Sequence, residues 1–369
     1  MVSVVRFHER PWVSVLIAAL VVLAAADPAA AAPGRQWTLD SEHFDGARLW
    51  QLSKGDGVIV AVVDGGVDAH HPDLIGRVLP GADFTGYAVD GRRDVSADGH
   101  GTSVAGIIAG SGSGPAGSAV SGIAPRARIL PVRVADGAAS SLTALAQGID
   151  YASTHGAKVI NVSTCTPVSD PQVRAAVAAA VRRDVVVVAA AGNDGLAANS
   201  AQYPAALPGV LAVAASDVSG ARWPKSESGG YIALTAPGVD IYTTGPDGGY
   251  VSATGTSFAA PQVSGVAALL RARFPAENAV QIVNRLTGTA TSGGHGRTAE
   301  GGYGLIDPYR ALTAAPFSRT ENNLLAAPPP ASVPAPGKSH LVPLVAAVLV
   351  AAVLLVAAAT ALLRRRQQS

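Results

Sequence analysis

Five short runs dominated by Val, Ile and Ala constrain this chain most: Val58–Val63, Ile129–Val134, Val159–Val162, Val185–Ala190 and Val210–Ala214. A strand with one wet face alternates apolar and polar residues. Continuous apolar runs instead mark strands covered on both faces, as in parallel sheets. Helix-forming segments separate the runs, at His100–Ala109, Leu142–Thr154, Pro171–Arg182, Ser257–Arg273 and Glu277–Leu286. This alternation predicts an α/β domain with a doubly wound, mostly parallel sheet and helices on both faces. Asp64 and Asn193 then fall at carboxyl ends of strands, the edge where such sheets bind ligands.

Three motifs carry chemistry-bearing residues. The first apolar run stops at Asp64, in Val-Val-Asp-Gly-Gly-Val-Asp68. His100 opens a small-residue helix in Asp98-Gly-His-Gly-Thr-Ser-Val-Ala-Gly106. Ser257 lies in Thr254-Gly-Thr-Ser-Phe-Ala-Ala-Pro261, at the start of another helix, where free N–H groups face a developing negative charge. By itself this serine reads equally well as a helix cap, with Pro261 expected inside the first turn, where a missing N–H costs little. Asp, His and Ser in this chain order are what an acyl-transfer triad needs. The carboxylate fixes the imidazole, the imidazole takes the serine proton, and the serine attacks a carbonyl.

Motifs and order together resemble the subtilisin family of serine peptidases. The resemblance implies Asp64, His100 and Ser257 as catalytic residues, acting without cofactor or metal. It also implies Asn193, in Ala189-Ala-Ala-Gly-Asn193, as the oxyanion-hole donor. Alone, Asn after Gly reads as a turn. Asn161-Val-Ser-Thr164 resembles the segment on which the family lays its substrate as an added strand. Ser163 would offer backbone groups there, with Ala190 to Gly192 as the facing wall of the pocket; an ordinary strand end is the plainer reading of Ser163. Gln202, in Gln-Tyr-Pro204, matches the base of the specificity pocket and is expected to make it shallower and more polar.

Both ends of the chain read as processing and membrane signals. Arg6 and Arg10 precede the largely apolar Trp12–Ala26 and then Ala29 to Ala32, the pattern of a signal peptide over residues 1–31. An uncleaved anchor is the alternative, but the run is short for a bilayer. Residues 32–53 follow as an arm expected to pack on a catalytic domain over 54–315, with Trp37, Leu39, Phe44, Leu49, Trp50 and Leu52 to bury. So short an arm cannot fold as a separate prodomain. A Pro-rich linker spans 316–340, an uncharged apolar helix 341–363 is long enough to cross a membrane, and Arg364 to Arg366 open a cytoplasmic tail, 364–369.

Residues 1–31 and 328–369 hold six basic residues and two acidic ones. Taking them from the chain's 27 Lys+Arg and 26 Asp+Glu leaves 21 against 24, a mildly acidic body with no basic run, which argues against a nucleic-acid partner. Cys165 is the only cysteine, so no internal disulfide forms. His70-His71 lacks the spacing of a metal site, and Gly110-Ser-Gly-Ser-Gly114 reads as a surface loop, not a phosphate loop.

The full layout resembles the mycosins, membrane-anchored subtilisin-like proteases associated with type VII secretion. Trp37 through Leu74, Arg271-Ala-Arg-Phe-Pro275 and Tyr303-Gly-Leu-Ile-Asp-Pro308 carry the finer likeness. Mycosins commonly hold paired cysteines, which this chain lacks. The resemblance implies protein or peptide substrates, anchorage to the cell membrane with the catalytic domain outside and the C-terminus in the cytoplasm, and a secretion membrane complex as partner. A general surface protease and a mainly structural stabiliser of such a complex are the competing readings.

Overall fold

The computed structural model describes residues 36–315 and Leu324, apart from Tyr87, 137–138 and 293–295. The expected signal peptide, apolar segment 341–363 and tail lie outside the described residues, as does the linker except Leu324. Among the described residues no helix is long and apolar enough to cross a membrane.

In chain order the strands are β1 (Ile59–Asp64), β2 (Ala82–Asp83), β3 (Arg128–Arg133), β4 (Ala135–Asp136), β5 (Ala139–Ser140), β6 (Val159–Val162), β7 (Val186–Ala190), β8 (Val210–Ser216), β9 (Ile232–Pro237), β10 (Ile241–Thr244) and β11 (Tyr250–Ala253). The helices are α1 (Gly46–Leu52), α2 (His100–Ala109), α3 (Leu142–Thr154), α4 (Pro171–Arg182), α5 (Thr256–Arg273), α6 (Ala279–Thr289) and α7 (Pro308–Thr313). Seven strands form one parallel sheet in the order β2-β3-β1-β6-β7-β8-β9. The pairs β4–β5 and β10–β11 are separate antiparallel hairpins.

Both faces of the sheet are covered, which is why its strands do not alternate. Val60 and Val62 of β1 join a core with Val104 and Ile108 of α2 and Val263 and Val266 of α5. Ala61 and Val63, pointing the other way, pack with Ile149 of α3 and Val173 and Val177 of α4. Helix α5 is buried without a break from Thr256 to Arg271. A helix apolar all round belongs inside, and α5 runs beneath β6, β7, β8 and β9. From β1 the chain winds to β3 on one side and to β6 on the other, so the strand order reverses between β1 and β6. Their carboxyl ends open the crevice such sheets use for ligands.

The sheet is wider than the five expected strands. Two-residue β2 is too short to leave a pattern, and β9 (Ile-Ala-Leu-Thr-Ala-Pro) ends on the proline that edge strands tolerate. Helix α6 starts after Asn278, not at Glu277, because Asn278 and Gln281 cap each other's backbone. Glu277 stays outside the helix and pairs with Arg285 at 2.5 Å.

Residues 36–53 are stitched to the domain by named bonds. Gln36 exchanges hydrogen bonds with the backbone of Ser121, and the Trp50 indole donates to the Ile123 carbonyl at 3.0 Å. Phe44 and Leu49 enter the main core. At the other end Leu324 is buried in that core, and its carbonyl accepts from Gly209 N–H.

Candidate active site

Asp64 ends β1 and is buried at 2% exposure. One carboxylate oxygen accepts from the Gly65 N–H at 2.8 Å, and the two lie 2.9 and 3.0 Å from His100 Nδ1. His100 is the first residue of α2, and the helix comes this close because Gly101 has no side chain. A Cβ there would stand 2.0 Å from the Gly66 carbonyl oxygen and 3.2 Å from the Asp64 Cβ. Burial opposes the imidazolium. The Asp64 charge and hydrogen bond, helped by Asp98 and Asp94, outweigh it and push His100 up to about 9.

A polar brace holds this corner. Ser96 Oγ accepts from the His100 N–H and donates to Asp94, whose other oxygen accepts from the Thr102 N–H at 2.8 Å and Oγ1 at 2.7 Å. Sequence reading passed over Asp94 and Ser96; their signal is the acidic, Asx-turn-forming spacing just before the His100 motif. Outside this brace lies a polar cleft of about 450 Å³, lined by Asp68, Arg92, Arg93 and Asp94, which Asp64, Ser257 and Asn193 do not line.

Ser257 is the second residue of α5, and Phe258 after it meets the His100 ring edge-on at 5.5 Å between centroids. Neither His100 Nε2 nor Ser257 Oγ is hydrogen-bonded to a described residue. Such bonds are often long before substrate binds. Pro261 is sixth in α5, beyond the first turn where sequence reading placed it. The N–H it lacks would have bonded the Ser257 carbonyl. Ser163 Oγ takes that place, donating to Ser257 O at 2.8 Å. Ser163 is held in turn by Asn161 Nδ2 at 2.9 Å, and Asn161 Oδ1 accepts from Ser264 Oγ of the same helix. The Ser163 hydroxyl thus ties the carboxyl end of β6 to the start of α5. Ser163→Ala leaves the buried carbonyl unpaired, so stability falls by about 1–3 kcal/mol and kcat by up to about 10². Denaturant melts and peptide kinetics on the one variant check both.

Asn193 lies three residues past β7. Its Oδ1 accepts from both the backbone N–H and the hydroxyl of Thr256, each at 2.9 Å. Two donors on one atom fix which end of the amide is oxygen, leaving Nδ2 free on an exposed residue. A Cβ on Gly255 would lie 3.3 Å from Ser257 Oγ and 3.4 Å from Asn193 Nδ2, so the two groups share one small patch. Thr256, which sequence reading did not single out, is the residue that aims this amide. Asn193→Ala is expected to lower kcat by roughly 10²–10³ with little change in KM, the loss known for the same group in subtilisin.

Gly192 sits at φ +110°, a conformation that favours glycine. A Cβ there would strike Gln202 Cγ at 2.5 Å and Glu227 Cγ at 2.6 Å. Gln202 is buried, and an isolated bridge between Thr166 and the next residue, Tyr203, ties its segment to the one that follows Ser163. Gly192, Gln202 and the Ser163 segment therefore gather on the same side of the crevice as Ser257.

The sequence model of the subtilase family matches residues 55–304. The chain belongs to the subtilase family. This subtilase is 39% identical to thermitase of Thermoactinomyces vulgaris, over 73% of its own length and 94% of the relative's. Among solved structures it is similar to the MycP3 protease from the type VII (ESX-3) secretion system, with TM-score 0.67 and 34% identity, covering 80% of this chain and 91% of that one. MycP1 from Mycobacterium smegmatis matches with TM-score 0.66 and 30% identity, covering 80% and 90%. Family and structural likeness thus agree on a mycosin-type subtilisin-like peptidase, and this subtilase is a serine endopeptidase.

Proposed function

We propose that this subtilase is a membrane-anchored endopeptidase that cleaves exported proteins outside the cytoplasm, in association with type VII secretion. Asp64, His100 and Ser257 form its triad, and Asn193 its oxyanion donor. The observation that carries the catalytic assignment is the Asp64–His100 pair, set at the strand-order reversal against the helix start that bears Ser257.

The substrate lies extended along the backbone at Ser163, with Gly192 as the pocket wall and Gln202 at its base. His100 Nε2 takes the Ser257 proton as Oγ bonds to the scissile carbonyl carbon, and the carbonyl electron pair moves onto oxygen. That oxygen meets Asn193 Nδ2 and the unpaired N–H of Ser257. Asp64 stabilises the imidazolium, which then protonates the leaving amine as the C–N bond breaks. Water repeats the sequence on the acyl-enzyme.

The leader at 1–31, the apolar segment 341–363 and the basic tail support anchorage with the catalytic domain outside. The likeness to MycP3 supports the secretion link; the likeness to thermitase supports a general surface protease. Mapping the N-termini of secreted proteins from cells with wild-type or Ser257→Ala protein separates the two. A small set of Ser257-dependent cleavages confined to proteins of one export route supports the secretion link. Cleavages spread over unrelated surface proteins support the general protease, and an unchanged profile argues for a structural role.

A further inference from the structure

Beside the primary pocket stands a carboxylate that the triad does not use. Glu227 is fully buried, and its backbone N–H donates to the Gly192 carbonyl at 2.9 Å. Its Cγ shares with Gln202 Cγ the space that a Gly192 side chain would occupy. Neither carboxylate oxygen has a hydrogen-bond partner of good geometry, although Gln202 and the Asp194 backbone lie close enough to ease its charge. Among the described residues no cation pairs with it. Arg222 is felt only weakly, and one of its guanidinium nitrogens is occupied by the Ser226 carbonyl.

Burying an unpaired acid is costly, and the surroundings make it more so. Burial first, then the charge of Asp194 at the rim, holds the Glu227 carboxyl above its usual range. The neighbouring Tyr231 phenol, which donates to the Ala191 carbonyl, is raised by burial and by the Glu227 charge. What the site lacks is a positive group with several donors. The Gln202 side chain, which meets Glu227 beside Gly192, is held by two bonds at the long end of the range, to Ser200 O at 3.3 Å and Ser200 Oγ at 3.2 Å. Such a side chain moves at little cost.

We propose that Glu227 is the selectivity residue of the primary pocket, and that this subtilase prefers lysine or arginine immediately before the scissile bond. The incoming cation displaces the Gln202 amide and pairs with the carboxylate, supplying three or more donors to an acceptor that no cation pairs with among the described residues. A neutral apolar side chain leaves Glu227 unpaired. The inference rests on the proposed peptidase site and adds its substrate class.

The test uses peptides identical except for Arg, Lys, citrulline or norleucine before the cleaved bond. The Arg/citrulline ratio of kcat/KM, read within one enzyme preparation, does not depend on the fraction folded. Wild type is expected to favour Arg by roughly ten- to a hundredfold, the worth of a charge-assisted bond. Glu227→Gln should bring the ratio close to one, and it should melt no lower than wild type at pH 8, because a buried charge is gone. A wild-type ratio near one, or an Arg preference that survives Glu227→Gln, overturns the assignment and leaves the peptidase intact. If wild type cleaves none of the peptides and matches Ser257→Ala, the peptidase reading itself falls, and this inference with it.

Discussion

Ser257→Ala is expected to lower kcat by about 10⁶, His100→Ala by about as much, and the double variant by little more. That is the behaviour of groups acting as one unit, known for the corresponding pair in subtilisin. It follows from the division of labour at the start of α5. Without the imidazole the hydroxyl keeps its proton, and without the hydroxyl the imidazole has nothing to activate. Whatever Asn193 and substrate binding contribute survives either change, so a residue of activity above the uncatalysed rate should remain in all three variants. Additive losses in single-turnover kinetics would mean that the two side chains serve different steps.

Asp64→Asn is expected to cost about 10⁴ in kcat, because an amide can hold the ring yet cannot stabilise its charge or enforce the right tautomer. Its second signature is a shift in titration. Asp64 is the largest of the influences that raise His100 to about 9, with burial pulling the other way. Removing its charge should move the His100 midpoint down toward the ordinary value near 6.5, which a histidine NMR titration reads directly. In wild type the base must be neutral, so kcat/KM should climb with pH up to about 9. The sign for stability follows the same shift. A histidine raised on folding adds stability that is fully present below about 6.5 and is lost as pH rises through about 9. Melting temperatures of wild type and Asp64→Asn should therefore lie furthest apart near pH 6 and draw closer toward pH 10. A gap that widens with pH would contradict the pairing.

The parts of this molecule that could be read from sequence are those set by strong local rules. Parallel strands buried on both faces leave runs of Val and Ile, so β1, β6, β7 and β8 were recognisable, and a triad leaves three motifs in a fixed order. Legibility failed where a residue's task depends on a partner distant in the chain. Nothing local to Ser163 says that its hydroxyl replaces a bond Pro261 cannot make 98 residues later, because that need arises only when β6 meets α5. Nothing local to Thr256 marks it out, and only the fold shows its N–H and hydroxyl donating to Asn193 Oδ1. Glu227 sits in an unremarkable Ser-Glu-Ser-Gly stretch and acquires meaning only by being packed, unpaired, against Gly192. Strand β9 was missed for a plainer reason: six residues containing Thr and Pro make a weak pattern, and pairing with β8 overrides it.

The most direct measurement is mass-spectrometric mapping after reaction with an organic fluorophosphonate, which phosphorylates a hydroxyl only where a neighbouring base activates it and an oxyanion site receives the phosphoryl oxygen. The expected result is a single adduct per chain, on Ser257, formed rapidly by wild type, slowed in Asn193→Ala and absent in His100→Ala. An unlabelled Ser257 in folded wild-type protein, or labelling that persists without His100, would contradict the triad assigned to this site.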